Sequence, residues 1–197
     1  MFESDFMEFF SHVHWSVPLW IFIPVIAGCT YAALAVYGLS LTKTMLVIFA
    51  GLALWTFIEY SLHRFIFHYH PKSAWGKKIH WMFHGVHHDY PSDPLRLVMV
   101  PGVSLPLATA FYFLWTLLFG TVHAAPLMAG MLTGYLAYDM THYAVHHFPI
   151  KGRVFGYLRE YHMRHHFADP DRGYGVSSPL WDIILRTSFR RDPSGRS

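Results

Sequence analysis

Histidine is the residue type through which this chain can do chemistry. It has sixteen, and twelve fall into four clusters. These are His63 and His68; His80, His84, His87 and His88; His142, His146 and His147; and His162, His165 and His166. Cys29 is the single cysteine and lies in an apolar run. A metal site here must therefore use imidazole, with carboxylate or water beside it. Imidazole suits iron, copper, zinc and nickel. Ten or more such donors are too many for one ion and about right for two. A zinc hydrolase needs only three ligands and an open position, and zinc does no redox chemistry. Two irons, which can be reduced and can bind O2, would supply an oxidant strong enough for a C–H bond.

The spacings put these donors in reach of shared ions. On an α-helix, residues four apart differ in direction by about 40° and residues three apart by about 60°. His84/His88, His142/His146 and His162/His166 are therefore same-face pairs, with His84/His87 and His162/His165 almost as close. His63 and His68 diverge by about 140° on a regular helix. They are expected to serve different ions unless the helix unwinds between them. Glu59, Asp139 and Glu160 stand close by in sequence. Ligating histidines commonly give their second N–H to a carboxylate or carbonyl, so these three are expected to orient the ligands. His80 and His147 are less certain donors, because each cluster works without them.

The elements that must position the clusters follow from composition. Hydrophobic residues make up 53% of the 197 and charged residues only 14%. The long apolar runs behind these figures predict an all-α integral membrane protein. Four spans are expected, at about 18–40, 45–62, 97–119 and 126–148, arranged as two hairpins. Turns are expected at Leu39 to Thr44 and at Gly120 to Ala125, and Pro101, Gly102 and Pro106 predict kinks or a re-entrant start. Residues 1–16 read as an interfacial amphipathic segment, 63–96 and 149–189 as a helical cap, and 190–197 as a tail, all within a single domain, 1–197. The first ten residues carry Glu3, Asp5 and Glu8 but no basic residue, which does not suit a signal peptide.

Every histidine cluster falls on one side of this topology, at span ends or in the cap. The cap is basic, so the metal site and both termini are expected to be cytoplasmic. The net charge of +3 comes with no nucleic-acid motif, and a nucleic-acid partner is not expected.

The ordered series HxxxxH, HxxHH, HxxxH and HxxHH resembles the fatty acid hydroxylase/sterol desaturase superfamily of membrane non-haem di-metal oxygenases. The wording of WTFIEYSLHRFIFHYHP (55–71), HGVHHDYPSDPLRLVMVP (84–101) and YLREYHMRHHFADPDRGYGVSSPLWDIILRT (157–187) is similar to the fatty acid 2-hydroxylase branch. The resemblance covers roughly 45–190. It implies four transmembrane helices under a cytosolic helical layer with two irons, although zinc could occupy a purified sample. The implied ligands are His63, His68, His84, His87, His88, His142, His146, His162, His165 and His166.

The implied reaction is O2-dependent hydroxylation at C2 of a long acyl chain, free or in a sphingolipid. The implied membrane is the endoplasmic reticulum in a eukaryote or the inner membrane in a bacterium. Many eukaryotic 2-hydroxylases carry an N-terminal cytochrome b5 domain with a His-Pro-Gly-Gly motif, which this sequence lacks. Electrons are thus expected from a separate donor, such as a free cytochrome b5 or a ferredoxin. The rival readings are a sterol or carotenoid hydroxylase or desaturase of the same superfamily and, from another class, a histidine-rich metal transporter.

Overall fold

The computed structural model describes residue 8 and residues 12–189. Most of the expected interfacial segment and the whole 190–197 tail lie outside the described residues. The described part is helical, with no strand. In chain order the helices are α1 (Val17–Tyr31), α2 (Leu41–Leu62), α3 (Ala74–His80), α4 (Val86–Asp89), α5 (Pro101–His147), α6 (Phe155–Phe167) and α7 (Leu180–Ile184). Three π-helical turns, Ala32–Val36, His63–Phe67 and Trp81–Gly85, extend α1, extend α2 and join α3 to α4.

Three helical stretches are long and apolar enough to cross a membrane: Val17–Val36, Leu41–Phe67 and Pro101–His147. The last contains both of the final two expected spans. As a straight rod its 47 residues would reach about 70 Å, more than twice the roughly 30 Å hydrocarbon core. It does not run straight. Gly120 has φ 74° and ψ 160°, a conformation that a side chain disfavours, and it breaks the helix into two arms. Trp115 Nε1 then donates to Met131 Sδ at 3.5 Å. Sixteen residues of unbroken helix would hold those positions about 24 Å apart. The turn expected over Gly120 to Ala125 is thus supplied by Gly120 alone, with helix resuming directly after it.

Other boundaries also differ from expectation. α2 starts at Leu41, because the Ser40 hydroxyl caps it by accepting the Lys43 N–H. Lys43 therefore sits inside the helix and not in a turn. Pro101 takes the first helical turn, where a missing N–H costs nothing, and Pro106 is carried without any non-helical dihedral. The only break inside α5 is at Gly120.

The second arm of α5 is the centre of the fold. α1 and α2 both pack on α5, and they meet each other mainly through the π turn at the end of α1. The Tyr135 ring lies edge-on to both Phe22 and Trp55. α2 and α5 approach to backbone contact. A Cβ added at Gly130 would sit 1.9 Å from the Ile48 carbonyl oxygen. Gly130 and Gly134 form the small-xxx-small spacing that lets apolar helices come this close. Trp20, Leu117 and Phe49 are among many large apolar side chains left exposed, as a lipid-facing surface requires.

Candidate metal centre

The ends of α2 and α5, the α3–α4 stretch and α6 bring ten histidines into two groups of five. His63, His68, His84, His88 and His165 form the first; His87, His142, His146, His162 and His166 form the second. Within each group the donor nitrogens all lie within 4.8 Å of one another. The groups adjoin: the rings of His88 and His166 stack with centroids 4.2 Å apart.

Local backbone geometry explains how the donors are sorted. The π turn after α2 closes with His68 N–H donating to the His63 carbonyl at 3.0 Å, an i→i+5 bond. That bond brings residues five apart onto one face, so His63 and His68 fall in one group, the outcome expected if the regular helix gives way between them. The i,i+4 pairs behave as their spacing predicts. His84/His88 enter the first group, and His142/His146 and His162/His166 the second. The three-apart partners do not stay with them, since His87 crosses to the second group and His165 to the first. Each HxxHH motif therefore divides its histidines between the two groups.

The donor set fits metal ions. The His63 and His165 Nδ1–H groups donate to the carbonyls of Tyr174 and Arg172, at 2.5 and 2.8 Å. Their Nε2 atoms must then be bare lone pairs. Both face His68 Nε2, at 3.2 and 3.0 Å, and one proton there cannot serve two acceptors. In the second group the Nε2 contacts run from 2.9 to 3.0 Å. Metal–imidazole bonds of about 2.0–2.1 Å meeting at right angles place their nitrogens about 3 Å apart. The clusters thus have the spacing of lone pairs converging on a cation.

Electrostatics agree. Burial and neighbouring imidazoles hold His84, His87 and His162 well below the ordinary imidazole range, and His88 at about 4. Coordination needs the neutral form, and these side chains are neutral at pH 7.

The expected carboxylates behave in three ways. Glu59 is buried, but its carboxylate hydrogen-bonds no cluster histidine among the described residues. It accepts the N–H groups of Val176 and Ser177, both at 2.8 Å, and the Ser177 hydroxyl. It thus anchors the loop that carries the Tyr174 carbonyl. Asp139 is 1% exposed and lies one turn before His142, but neither of its carboxylate oxygens hydrogen-bonds a cluster histidine among the described residues, so the expected orienting contact is not made. Glu160 is exposed on α6, and the structure does not bring it to the buried imidazoles. The helix turns it outward while its neighbours Tyr161 and His162 face in.

His80 and His147 also stay outside both groups. His80 Nε2 donates to the Phe67 carbonyl, and His147 packs on the Tyr143 ring.

Sequence reasoning did not identify Asp182. It is fully buried and accepts Tyr174 N–H at 3.0 Å, Gly175 N–H at 2.8 Å and the Thr187 hydroxyl at 2.7 Å. The signal was available: a lone carboxylate inside the apolar run Leu180–Ile184 must find donors or stay unburied. The carbonyls of Arg172 and Tyr174 carry no side-chain signature.

Comparison with known proteins gives this constellation its family. The chain is 40% identical over 187 residues to the dihydroceramide fatty acyl 2-hydroxylase FAH1 of Arabidopsis thaliana, covering 94% of this chain and 78% of that one. It is 34% identical over 212 residues to the fatty acid 2-hydroxylase of Rattus norvegicus, covering 95% and 56% respectively. A solved structure described as full-length scs7p, with only its hydroxylase domain visible, superposes with a TM-score of 0.89 at 33% identity, covering 94% of this chain and 70% of that one. The fatty acid hydroxylase family profile matches residues 48–187, which contain all ten clustered histidines, and the chain belongs to that family.

Proposed function

We propose that the chain is an O2-dependent di-iron monooxygenase that hydroxylates C2 of long acyl chains, free or within a sphingolipid. One observation carries this reading: two adjoining five-imidazole groups sit at the ends of apolar helices, where a lipid chain can reach them. The ten histidines are the ligands, five to each iron. When bound, the irons supply reversible electron storage and a place for O2. In the overall balance O2, two electrons and two protons convert a C–H bond to C–OH and release water. The electrons come from a separate redox protein such as cytochrome b5 or a ferredoxin.

This chain's own residues do the positioning. The loop carbonyls of Tyr174 and Arg172 fix the ring orientation of His63 and His165. Burial keeps the imidazoles neutral and shields the centre from bulk water. An apolar recess lined by Phe22, Trp55, Leu107, Phe111, Met131 and Leu132 lies between the helices, with Ser104 and Tyr135 as its polar members.

In the proposed topology the two arms of α5 are separate spans, making four spans in two hairpins within a single domain, 1–197. The metal face and both termini are cytoplasmic, in the endoplasmic reticulum or a bacterial inner membrane. A metal transporter would hold its ligands near the bilayer midplane, not at helix ends and in a polar cap.

The test is lipid mass spectrometry of a host without its own 2-hydroxylase, given an electron-transfer partner and either this chain or its His84→Ala variant. New 2-hydroxy acyl lipids from the parent chain alone are expected. A hydroxyl on a sterol, a carotenoid or another acyl carbon would overturn the substrate.

A further inference from the structure

The two histidine groups are not supported alike from behind. The Tyr174 and Arg172 carbonyls that receive His63 and His165 belong to one short stretch, residues 172–178. Asp182 and Glu59 grip that stretch from two sides, taking four consecutive backbone N–H groups, Tyr174 to Ser177. The packing is tight: a Cβ on Gly175 would sit 2.0 Å from the Ser178 carbonyl and 3.0 Å from the Asp182 carboxylate. Tyr60 and Thr187 hydroxyls meet at 3.0 Å, and Trp181 Nε1 donates to Thr56 Oγ1 at 2.9 Å, docking the following stretch, which carries Asp182, on α2. In the second group, Nδ1 of His142, His162 and His166 is buried with no hydrogen-bond partner among the described residues.

An imidazole whose far N–H already meets a fixed acceptor has its tautomer and ring angle set before an ion arrives. An imidazole without one must be oriented by the ion itself. Pre-ordered ligands lose less freedom on binding, and the difference appears as affinity. We infer that residues 172–178, clamped by Glu59 and Asp182, position His63 and His165, so that the first group takes up its ion first and releases it last. This rests on the reading that the ten histidines hold two ions. Glu59 and Asp182 are positioning residues, since their carboxylates bond the backbone of this stretch and hydrogen-bond no imidazole of the groups.

The experiment uses the full purified chain loaded with zinc as the probe ion, with release into a chromogenic chelator followed over time. The unaltered chain is expected to give up two zinc ions in two phases of equal amplitude. His146→Ala, in the second group, should remove the fast phase and leave the slow one. Asp182→Asn presents an amide NH2 to a backbone N–H whichever way it turns. It should accelerate the slow phase by about 10- to 100-fold, the usual reach of a residue that orients a metal ligand, and leave the fast phase unchanged. Glu59→Ala should do the same. Glu59→Gln should retain most of the slow phase, because one amide oxygen can still accept both the Val176 and Ser177 N–H groups. That pair carries the test if Asp182→Asn does not fold.

A slow phase untouched by both Asp182→Asn and Glu59→Ala overturns the clamp alone. Equal acceleration of both phases also overturns it, since the carboxylates would then support the whole fold. Fewer than two ions on the unaltered chain overturns the two-ion reading and the inequality with it.

Discussion

The two histidine groups and the packed membrane-type helices use opposite means to reach a fixed geometry. Where α2 crosses α5, contact is made by leaving side chains out: Gly51 and Gly130 have no space for a Cβ, and backbone meets backbone. In the histidine groups, ten polar side chains crowd together, six of them buried and four half-buried. The first region is held by dispersion and close packing, which tolerate little volume change. The second converges ten imidazoles, which an ion would draw together. Damage to the first should therefore appear as lost folding, and damage to the second as lost metal with the helices intact.

The largest expected effects fall on the ligands. His162→Ala and His165→Ala, one from each group, should each abolish product, a loss of more than 100-fold, while the purified chain keeps its helical circular dichroism. Full activity in either variant would break the idea that both groups serve one reaction. Next comes the helix contact. Gly130→Val should destabilise the fold by about 1–3 kcal/mol or more, the usual cost of overpacking. Thermal unfolding in detergent measures this, with metal content per folded chain unchanged.

Acidification sharpens the contrast further. Burial depresses His88 to about 4 and His68 to about 2 in the folded chain, against an ordinary value near 6.5. The folded state thus binds fewer protons than the unfolded state between these values. The resulting stability is fully present above about 6.5 and is lost as pH falls through about 4 and then about 2. Melting temperature of the metal-free protein, scanned downward from pH 7, should fall over that range. A flat profile would mean that the imidazoles are not buried as described. The smallest effect belongs to Glu160→Gln. Its side chain faces solvent, and both melting temperature and product yield should stay near the parent values, within about 0.5 kcal/mol for stability.

Much of this was legible in the residues themselves. Apolar runs located the helices, because length and hydropathy decide whether a segment can cross a membrane. The i,i+4 histidine pairs foretold partners, because helical geometry is nearly fixed. The division of each HxxHH motif between two groups was not legible. It depends on how α6 and the α3–α4 stretch face each other, a matter of tertiary packing. His63 and His68 were expected to part unless the helix unwinds between them, and the i→i+5 turn that brings them together is that exception, which spacing alone could not choose. Glu160 was read as an orienting carboxylate from proximity in sequence, yet one residue of helix rotation turns it to solvent. The acceptors found behind His63 and His165 are backbone carbonyls, which every residue has and no sequence marks. Asp182 was readable in principle, as a charge among Leu180, Trp181, Ile183 and Ile184.

A two-iron centre is tested most plainly by counting and distinguishing the irons. The purified chain, loaded anaerobically with 57Fe(II), would be analysed by mass spectrometry for metal content and by Mössbauer spectroscopy for environment. Two irons per chain and two quadrupole doublets of equal area are expected, one for each five-imidazole group. A single iron per chain, or two irons lost together when only one group is mutated to alanine without loss of fold, would contradict this.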